Sequence, residues 1–313
     1  MFIHRIYKAI PWKMKRVFVI PRQLINTIAY GLCNKNKVIV VNAAIFQFLG
    51  RVRHHNIGDD LNYYLIKELS GKKVFALRSF YHIRRHIVNI MAIGSVIDWM
   101  GNNETVVWGA GMISSHEKAK FQLKKVCAVR GHKTRDILLK SGVDCPEIYG
   151  DPALLLPYVY APKVDRIKGR IGFIPHYSDM KDANLIRLMK ELGEKSLLIR
   201  VQDYKNWKEV VNQILSCEFI VSTSLHGLIL ADAYGVPNQW IMSKNSGKFK
   251  FEDYYSSVGK DPIGIEISDV TRIGELWERK KHYKSIVFDP KPLLKACPFE
   301  ICHPTVLGLL GNL

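Results

Sequence analysis

The clearest pattern of hydrophobic and polar positions lies in the second half of the chain. Residues 219–221 form a continuous apolar run, which is typical of a strand buried on both faces of a parallel sheet. Three hydroxyl residues follow as candidate helix caps, and apolar side chains then surround a predicted helix over residues 225–234 on almost every side. Gly235 and Pro237 end that helix. The pattern predicts a buried strand, a turn that carries His226, and a buried helix.

Similar units precede and follow this one. Strands that alternate with helices form parallel sheets, so the pattern predicts an α/β fold. The predicted strands are residues 37–42, 73–77, a segment ending at Gly94 and Ser95, 105–108 and 126–129 in the first half, and residues 170–174, 196–201, 219–221, 239–242 and 263–267 in the second. The other predicted elements are a long loop before Asn56, helices over residues 83–90, 134–142, 182–192 and 269–283, and a helix whose core face includes Trp207.

A chain of 313 residues favours two domains. We expect a basic amphipathic segment over residues 1–36, one Rossmann-like domain over 37–160, a second over 161–285, and a tail over 286–313 that packs back. The two domains should face each other across a cleft.

Ligands of open α/β sheets bind at the carboxyl ends of the strands, so residues at those ends are the candidates for a site. If the two sheets face each other, these residues converge. The candidates are Asn56, Gly58, Asp59, Asp60, Ser95, Gly109, Gly111, Arg130, Asp151, His176, Ser224, Leu225, His226, Gly227 and Lys248, the last from a loop that also carries Lys244 and Lys250.

Arg130 and the glycines after strands each have two interpretations. The Arg130 guanidinium can hold a carboxylate or phosphate by two parallel hydrogen bonds, or form a salt bridge with Asp136 or Asp151. Gly109 and Gly111 either let backbone N–H groups approach a ligand or allow a tight turn.

His226 and the adjacent carboxylates Asp59 and Asp60 also have two interpretations each. An unperturbed histidine titrates at about 6.5, so His226 suits an acid or an anion ligand, although it could simply satisfy a helix start. Gly227 would let a ligand or another backbone come close to it. Asp59 and Asp60 suit a catalytic base, or a favourable interaction with a helix dipole.

Charge changes the picture at the N-terminus. Lys and Arg number 46 against 28 Asp and Glu, a formal charge of +18, and ten basic residues precede the first acidic one, Asp59. Pro11 and Pro21 are expected to break any helix there, and no apolar run approaches the roughly 20 residues that span a bilayer. We expect this segment to lie on an anionic membrane surface. A partner enzyme ranks second and nucleic acid third, without any nucleic-acid-binding motif in support.

Cysteine usage bears on the compartment. The six cysteines include no Cys-x-x-Cys pair, and no secretion signal is recognisable, which favours reduced thiols in the cytoplasm, with the protein peripheral to the inner face of the membrane. Cys297, Cys302 and His303 lack the paired spacing of a zinc site. We predict no metal and no cofactor, and a homo-oligomer stays open.

Several motifs together resemble one known family. The segment STSLHGLILADAYGVP, with KFKFEDYY further on, is similar to the signature of the polysaccharide pyruvyl transferase family. The resemblance continues in NIGDDLN, IGS, WGAG, YGDPALL and IPHYSD, in family order, from about residue 38 to about residue 269. Many members have arginine where this chain has Ser224.

The resemblance implies both a fold and an activity. Members move a pyruvyl group from phosphoenolpyruvate to a sugar as a ketal during surface polysaccharide biosynthesis, in a two-Rossmann architecture like that of B-type glycosyltransferases. It implies phosphoenolpyruvate as the donor on the C-terminal side and a polysaccharide or lipid-linked oligosaccharide as the acceptor on the N-terminal side. His226 would be the acid or phosphate ligand, Arg130 the clamp, and Asp59 or Asp60 the base.

Two other hypotheses stay open at this point. Ser224 in place of arginine favours a glycosyltransferase that uses a nucleotide sugar in the same cleft. A third hypothesis is a non-catalytic scaffold of a polysaccharide assembly complex at the membrane surface.

Overall fold

The structure is a computed structural model that describes residues 12–48, 50–53, 56–116 and 122–311, without the side chains of residues 12–18 and 53. It begins with helix α1 (Trp12–Gly31), which continues through Pro21, so the predicted break is wrong there. The helix is packed on the rest of the protein beyond the proline, where the side-chain amide of buried Asn26 donates to the Gln47 carbonyl at 2.7 Å. The part of the membrane prediction that concerns residues 1–11 lies outside the described residues.

The first half contains a parallel five-stranded sheet. Its strands are β1 (Val38–Val41), β4 (Lys73–Ala76), β5 (Asn89–Met91), β6 (Thr105–Trp108) and β7 (Lys125–Ala128). They lie in the order β4, β1, β5, β6, β7, and all neighbours are parallel. These runs are rich in β-branched residues and largely buried, as expected for strands covered on both faces.

Two local predictions in this half are wrong. The predicted helix over residues 83–90 is a short 3₁₀ turn, Ile83–His86, followed by β5, because buried Asn89 is held in the sheet by hydrogen bonds. The predicted long loop contains an antiparallel hairpin, β2 (Phe46–Phe48) with β3 (Arg51–Arg53). Gln47 holds the hairpin on the sheet because its side chain bonds the backbone of Val74 and Ala76.

Helices connect these strands. They are α2 (Ile57–Ser70), α3 (Ile97–Met100) and α4 (His132–Lys140), with 3₁₀ helices at Lys35–Lys37, Leu77–Ser79 and Pro152–Tyr158.

The second half repeats the arrangement. Its strands are β8 (Ile171–Ile174), β9 (Ser196–Leu198), β10 (Phe219–Ser222), β11 (Asn238–Met242) and β12 (Ile265–Glu266), ordered β12, β11, β10, β8, β9 and parallel throughout. The helices are α5 (Ala183–Leu192), α6 (Trp207–Leu215), α7 (Leu225–Ala233), α8 (Phe249–Ser257) and α9 (Ile273–Lys281), with 3₁₀ turns at Tyr177–Asp179, Gly193–Lys195 and Ile267–Asp269. The α/β, Rossmann-like prediction is confirmed.

The tail carries α10 (Pro290–Lys295) and α11 (Pro304–Gly311) and returns to the first half. The Trp108 indole donates to the Leu293 carbonyl at 2.8 Å, and the Cys302 N–H donates to the Leu69 carbonyl at 2.7 Å. A single hydrophobic cluster contains residues of both sheets and of this tail. The domain boundaries near residues 36, 160 and 285 stay predictions.

In the part of the chain that the structure describes, no helix combines the length and the hydrophobicity needed to cross a membrane.

Two tryptophans provide a test of the core. Trp207 is 4% exposed and Trp99 is 50% exposed. We expect Trp207→Ala to lower the free energy of unfolding by about 3–5 kcal/mol, because it leaves a cavity under α6. Urea denaturation with Trp99→Ala as the matched control, expected to cost about 0.5 kcal/mol, checks this. Equal losses for the two variants would contradict the placement of Trp207 in the core.

Candidate active site

His226 and Asp151 face each other at the carboxyl end of β10. The His226 side chain is 12% exposed, and its Nε2 lies 3.7 Å from Asp151 Oδ2. Among the residues that the structure describes, neither of these two buried atoms has a hydrogen-bond partner. Asp151 Oδ1 is used locally, since it accepts the Ala153 N–H and caps the 3₁₀ helix after it. Leaving buried polar atoms unsatisfied is costly, and this pair therefore has hydrogen-bonding capacity that the described residues do not use.

The start of α2 packs directly on His226. Asn56 caps this helix by accepting the Gly58 N–H at 3.2 Å. A Cβ atom on Gly58 would lie 2.2 Å from His226 Nδ1, so only glycine leaves room for the imidazole. The first turns of α2 and α7 therefore meet at this ring. Helix N-termini present free N–H groups and favour anions.

Asp59 and Asp60, adjacent in sequence, point to different environments. Asp59 is half-buried, and its Oδ1 lies 3.4 Å from the Ala44 N–H and beside Gly94. Asp60 is fully buried and accepts the Tyr204 hydroxyl at 2.5 Å. Burial, and then the Asp60 charge, raise the pKa of Tyr204 far above its usual value. Asp59 is thus the carboxylate on the side of the strand ends.

Arg130 is fully buried, and protein groups surround its guanidinium. Its Nε donates to Asp253 Oδ2 at 2.9 Å, its NH1 to Ser95 Oγ at 2.5 Å, and its NH2 to the Met112 carbonyl at 2.9 Å. Asp253 also accepts the N–H and the hydroxyl of Thr134, both at 2.7 Å. The expected salt-bridge partners, Asp136 and Asp151, are therefore corrected to Asp253. The role of Arg130 as a ligand clamp stays a prediction.

Three candidate glycines are in contact with protein groups. A Cβ on Gly109 would lie 2.2 Å from Pro152 Cδ, and one on Gly111 would lie 2.5 Å from the Arg130 guanidinium. A Cβ on Gly227 would meet Ser222 Oγ at 2.5 Å. Close packing between segments of this chain accounts for all three.

The hydroxyls before α7 do not cap it as expected. The Ser224 side chain makes no capping hydrogen bond, and its N–H donates instead to Ser222 Oγ at 3.0 Å. Thr223 donates to Asp179 Oδ2 at 2.7 Å. Leu225 is buried in the core.

A second polar group surrounds Asp179, which the sequence analysis missed. Burial alone would raise the pKa of Asp179, but hydrogen bonds led by that from Thr223, with Asn245 and Ser243, outweigh it and lower the pKa. His176 lies beside this group and donates its N–H to Thr223 Oγ1. Burial, and then the charge of Lys250, lower the pKa of His176.

Lys250 is the cation of the predicted loop that reaches this region, whereas Lys248 is exposed. Among the described residues, the Lys250 ammonium has no hydrogen-bond acceptor and no carboxylate within 4 Å. Burial, and then the charge of Arg130, lower its pKa to about 8. Lys250 and Asp253 both lie in KFKFEDYY, and the signal that could have found them is the presence of charges on a helix among aromatic core residues.

A separate cavity of about 590 Å³ lies at the amino end of β11. Its lining includes Asn238, Trp240, Lys260 and Tyr283, and it contains none of the predicted site residues.

The fold is thus a Rossmann-like α/β fold with histidines, a lysine and carboxylates grouped at the carboxyl ends of parallel strands. The model of the polysaccharide pyruvyl transferase family matches residues 56–245. The chain belongs to this family, which confirms the resemblance seen in its motifs. Membership makes it a transferase of the class that modifies polysaccharides.

Individual relatives are distant. The chain is 29% identical over 215 residues to an uncharacterized protein of Acanthamoeba polyphaga mimivirus, a match that covers 66% of this chain and 72% of that protein. It is 26% identical over 216 residues to the succinoglycan biosynthesis protein ExoV of Rhizobium meliloti (strain 1021), covering 66% of this chain and 63% of ExoV. The crystal structure of an uncharacterized Klebsiella pneumoniae protein aligns with 77% of this chain and 93% of its own, at a TM-score of 0.40 and 14% identity.

The buried ion pair yields a stability prediction. Arg130→Ala and Asp253→Ala should each cost about 3–5 kcal/mol, since each leaves one buried charge without its partner. The double variant should cost much less than the sum of the two. Denaturant-based double-mutant cycles measure this, with the more exposed pair Lys124 and Glu104, 2.7 Å apart, as a control whose coupling should be about 1 kcal/mol or less. Additive losses for Arg130 and Asp253 would contradict the pairing.

Proposed function

We propose that the protein transfers the pyruvyl group of phosphoenolpyruvate to two hydroxyls of a sugar, as a ketal. The observation that carries the proposal is the hydrogen-bonding capacity that the described residues leave unused on His226 and Asp151, at the meeting point of two helix N-termini. A small dianion fits such a place, because helix N-termini favour negative charge. Family membership supplies the polysaccharide acceptor class.

The reaction needs one acid and one base. Protonation of the methylene carbon of phosphoenolpyruvate makes its C2 electrophilic, and a sugar hydroxyl adds to C2 as it loses its proton. A second hydroxyl then displaces phosphate from C2 and closes the ketal, and its proton passes to the departing phosphate. Two C–O bonds form, one breaks, and inorganic phosphate leaves.

The described residues suit these roles. His226 is the acid or the phosphate ligand, and Asp151 Oδ2 can accept a hydrogen bond from its protonated Nε2. Asp59 is the base, because it is half-buried on the side of the strand ends, whereas Asp60 is fully buried against Tyr204. Arg130 positions the Ser95 hydroxyl and adds positive charge behind it.

Lys250 supports the assignment of phosphoenolpyruvate as the donor, although this chain has Ser224 where many family members have arginine. Ser224 provides no cation where many family members have one, but the ammonium of Lys250, which meets no carboxylate among the described residues, supplies a positive charge on the side of His176. We propose that Lys250 holds the carboxylate or the phosphate of the donor.

Ligand-induced thermal stabilisation tests the donor. A ligand at 100 times its dissociation constant stabilises by about 2.7 kcal/mol. We expect phosphoenolpyruvate to raise the melting temperature, and UDP and GDP to leave it unchanged. A shift with a nucleoside diphosphate alone would overturn the proposal in favour of glycosyl transfer. No shift with any of the three would leave the scaffold hypothesis in its place.

His226→Ala should lower kcat by about 10²–10⁴-fold, the usual contribution of a positioned proton donor. Phosphate release from phosphoenolpyruvate, followed with a panel of free and lipid-linked oligosaccharides, measures this. The matched control is His282→Ala, an exposed histidine at the end of α9, which should stay within about twofold because its side chain lies outside the site. Turnover of His226→Ala close to that of wild type would rule out the acid role.

The pH dependence of kcat/KM for phosphoenolpyruvate should report Lys250. Its ammonium is charged below its pKa of about 8, so kcat/KM should fall as pH rises through 8 and 9. Lys250→Arg keeps its charge over this range and should remove the fall. Lys250→Ala should have a low kcat/KM for phosphoenolpyruvate already at pH 7, because it has no ammonium at this position. A profile in Lys250→Arg that still falls above pH 8 would assign the titration to another group.

A further inference from the structure

Helix α1 and the turn that follows it expose a row of apolar side chains. The row, called here the apolar stripe, consists of Leu24, Ile25, Ile28 and Leu32, which are 47%, 42%, 54% and 84% exposed. Residues at this spacing share one face of a helix. The opposite face is anchored to the protein, through Asn26 and through Tyr30, whose ring centroid lies 4.9 Å from that of Phe80. The stripe is therefore the outward face of a packed helix.

Basic side chains lie on α1, just after it, and on the segments packed against it. This basic rim consists of Arg22, Lys35, Arg51 and Arg78. Arg22 lies over the Phe48 ring at 5.6 Å, Lys35 over the Tyr30 ring at 3.3 Å, and Arg78 over the Phe46 ring at 5.0 Å. Arg51 pairs with Phe48 in the hairpin.

In the part of the chain that the structure describes, the rim has no acidic partner close by, although the Lys35 ammonium donates to the Tyr30 carbonyl at 2.6 Å. Among the described residues, none of its four members has a carboxylate within 4 Å, and the sequence contains no acidic residue before Asp59. Phe46, 45% exposed, adds an aromatic ring beside the rim. We propose that the stripe and the rim together bind the surface of an anionic lipid bilayer.

The presence of both an apolar stripe and a basic rim favours a lipid bilayer over nucleic acid or a second copy of the chain. A helix that buries apolar side chains among lipid head groups while its cations meet anionic phosphates uses both features. Nucleic acid would use the cations but leave the stripe exposed. A second copy of the chain would have to bring this same surface against itself in a two-fold dimer, and cations would then face cations.

The proposed surface lies near the candidate site. The hairpin follows the carboxyl end of β1, and the Ala44 N–H just before it contacts Asp59. Gln23 of α1 donates to the Arg78 carbonyl, just beyond the carboxyl end of β4. If the proposed function holds, this placement would let the enzyme act on a lipid-linked oligosaccharide held in the bilayer. The binding itself does not depend on that function.

Co-sedimentation of the full chain with vesicles tests the inference without donor or acceptor, so its failure leaves the proposed function untouched. The vesicles contain phosphatidylcholine alone or with added phosphatidylglycerol. We expect binding only with phosphatidylglycerol, weakened by salt. Arg22→Gln, Lys35→Gln and Arg51→Gln combined should weaken it on the order of a hundredfold, at about fivefold per cation. Lys140→Gln, Lys181→Gln and Lys190→Gln, three exposed lysines elsewhere, are the matched control.

A second pair of variants tests the stripe. Ile28→Gln with Leu32→Gln should also weaken binding at least tenfold, whereas Ile186→Gln with Ile263→Gln, 40% and 64% exposed in the second half, should leave it unchanged. Circular dichroism confirms that each variant folds. The proposal would be overturned if the protein did not bind the vesicles, or if the control variants lost as much binding as the test variants. It would also be overturned if the stripe variants bound as well as wild type. So would sedimentation velocity that shows a dimer which the stripe variants dissociate, because the surface would then join two copies of the chain.

Discussion

The buried ion pair between Arg130 and Asp253 is the constraint on which the site depends. Removing two charges from water costs several kcal/mol per ion unless close geometry and further hydrogen bonds compensate. Here Ser95, Met112 and Thr134 provide those bonds. The loop after β7 and helix α8 are thereby held together, and Gly131 lets their backbones touch, since a Cβ there would lie 1.8 Å from the Asp253 carbonyl oxygen.

The same pair connects structure to chemistry. Lys250 lies one helical turn before Asp253 on α8, so the pair that fixes the helix also fixes the ammonium. The Arg130 charge contributes to the lowered pKa of Lys250, although burial contributes more. Arg130, for which the sequence suggests direct contact with a ligand, can therefore act indirectly. It holds α8 in place through Asp253, and its charge lowers the pKa of Lys250.

Elements with a strong local signal were predictable. The apolar runs that form β1, β6, β8 and β10 were recognisable as strands from the sequence. The segment around His226 indicated both the α/β pattern and the family. The failures share a physical cause. The partner of Arg130 lies 123 residues away, and no local pattern encodes such a pairing. Residues 83–90 became a turn and a strand, and Pro21 was accommodated in a helix, because contacts from distant segments outweighed local preference.

The returning tail has a consequence for the order of folding. The indole N–H of Trp108 finds its acceptor 185 residues later, at Leu293. During synthesis, the first sheet leaves the ribosome long before that acceptor, or the carboxylate of Asp253, exists. Trp108 at the end of β6 and Arg130 after the edge strand β7 then lack their partners, so the first sheet is fully consolidated only after residues 253 and 293 have been made.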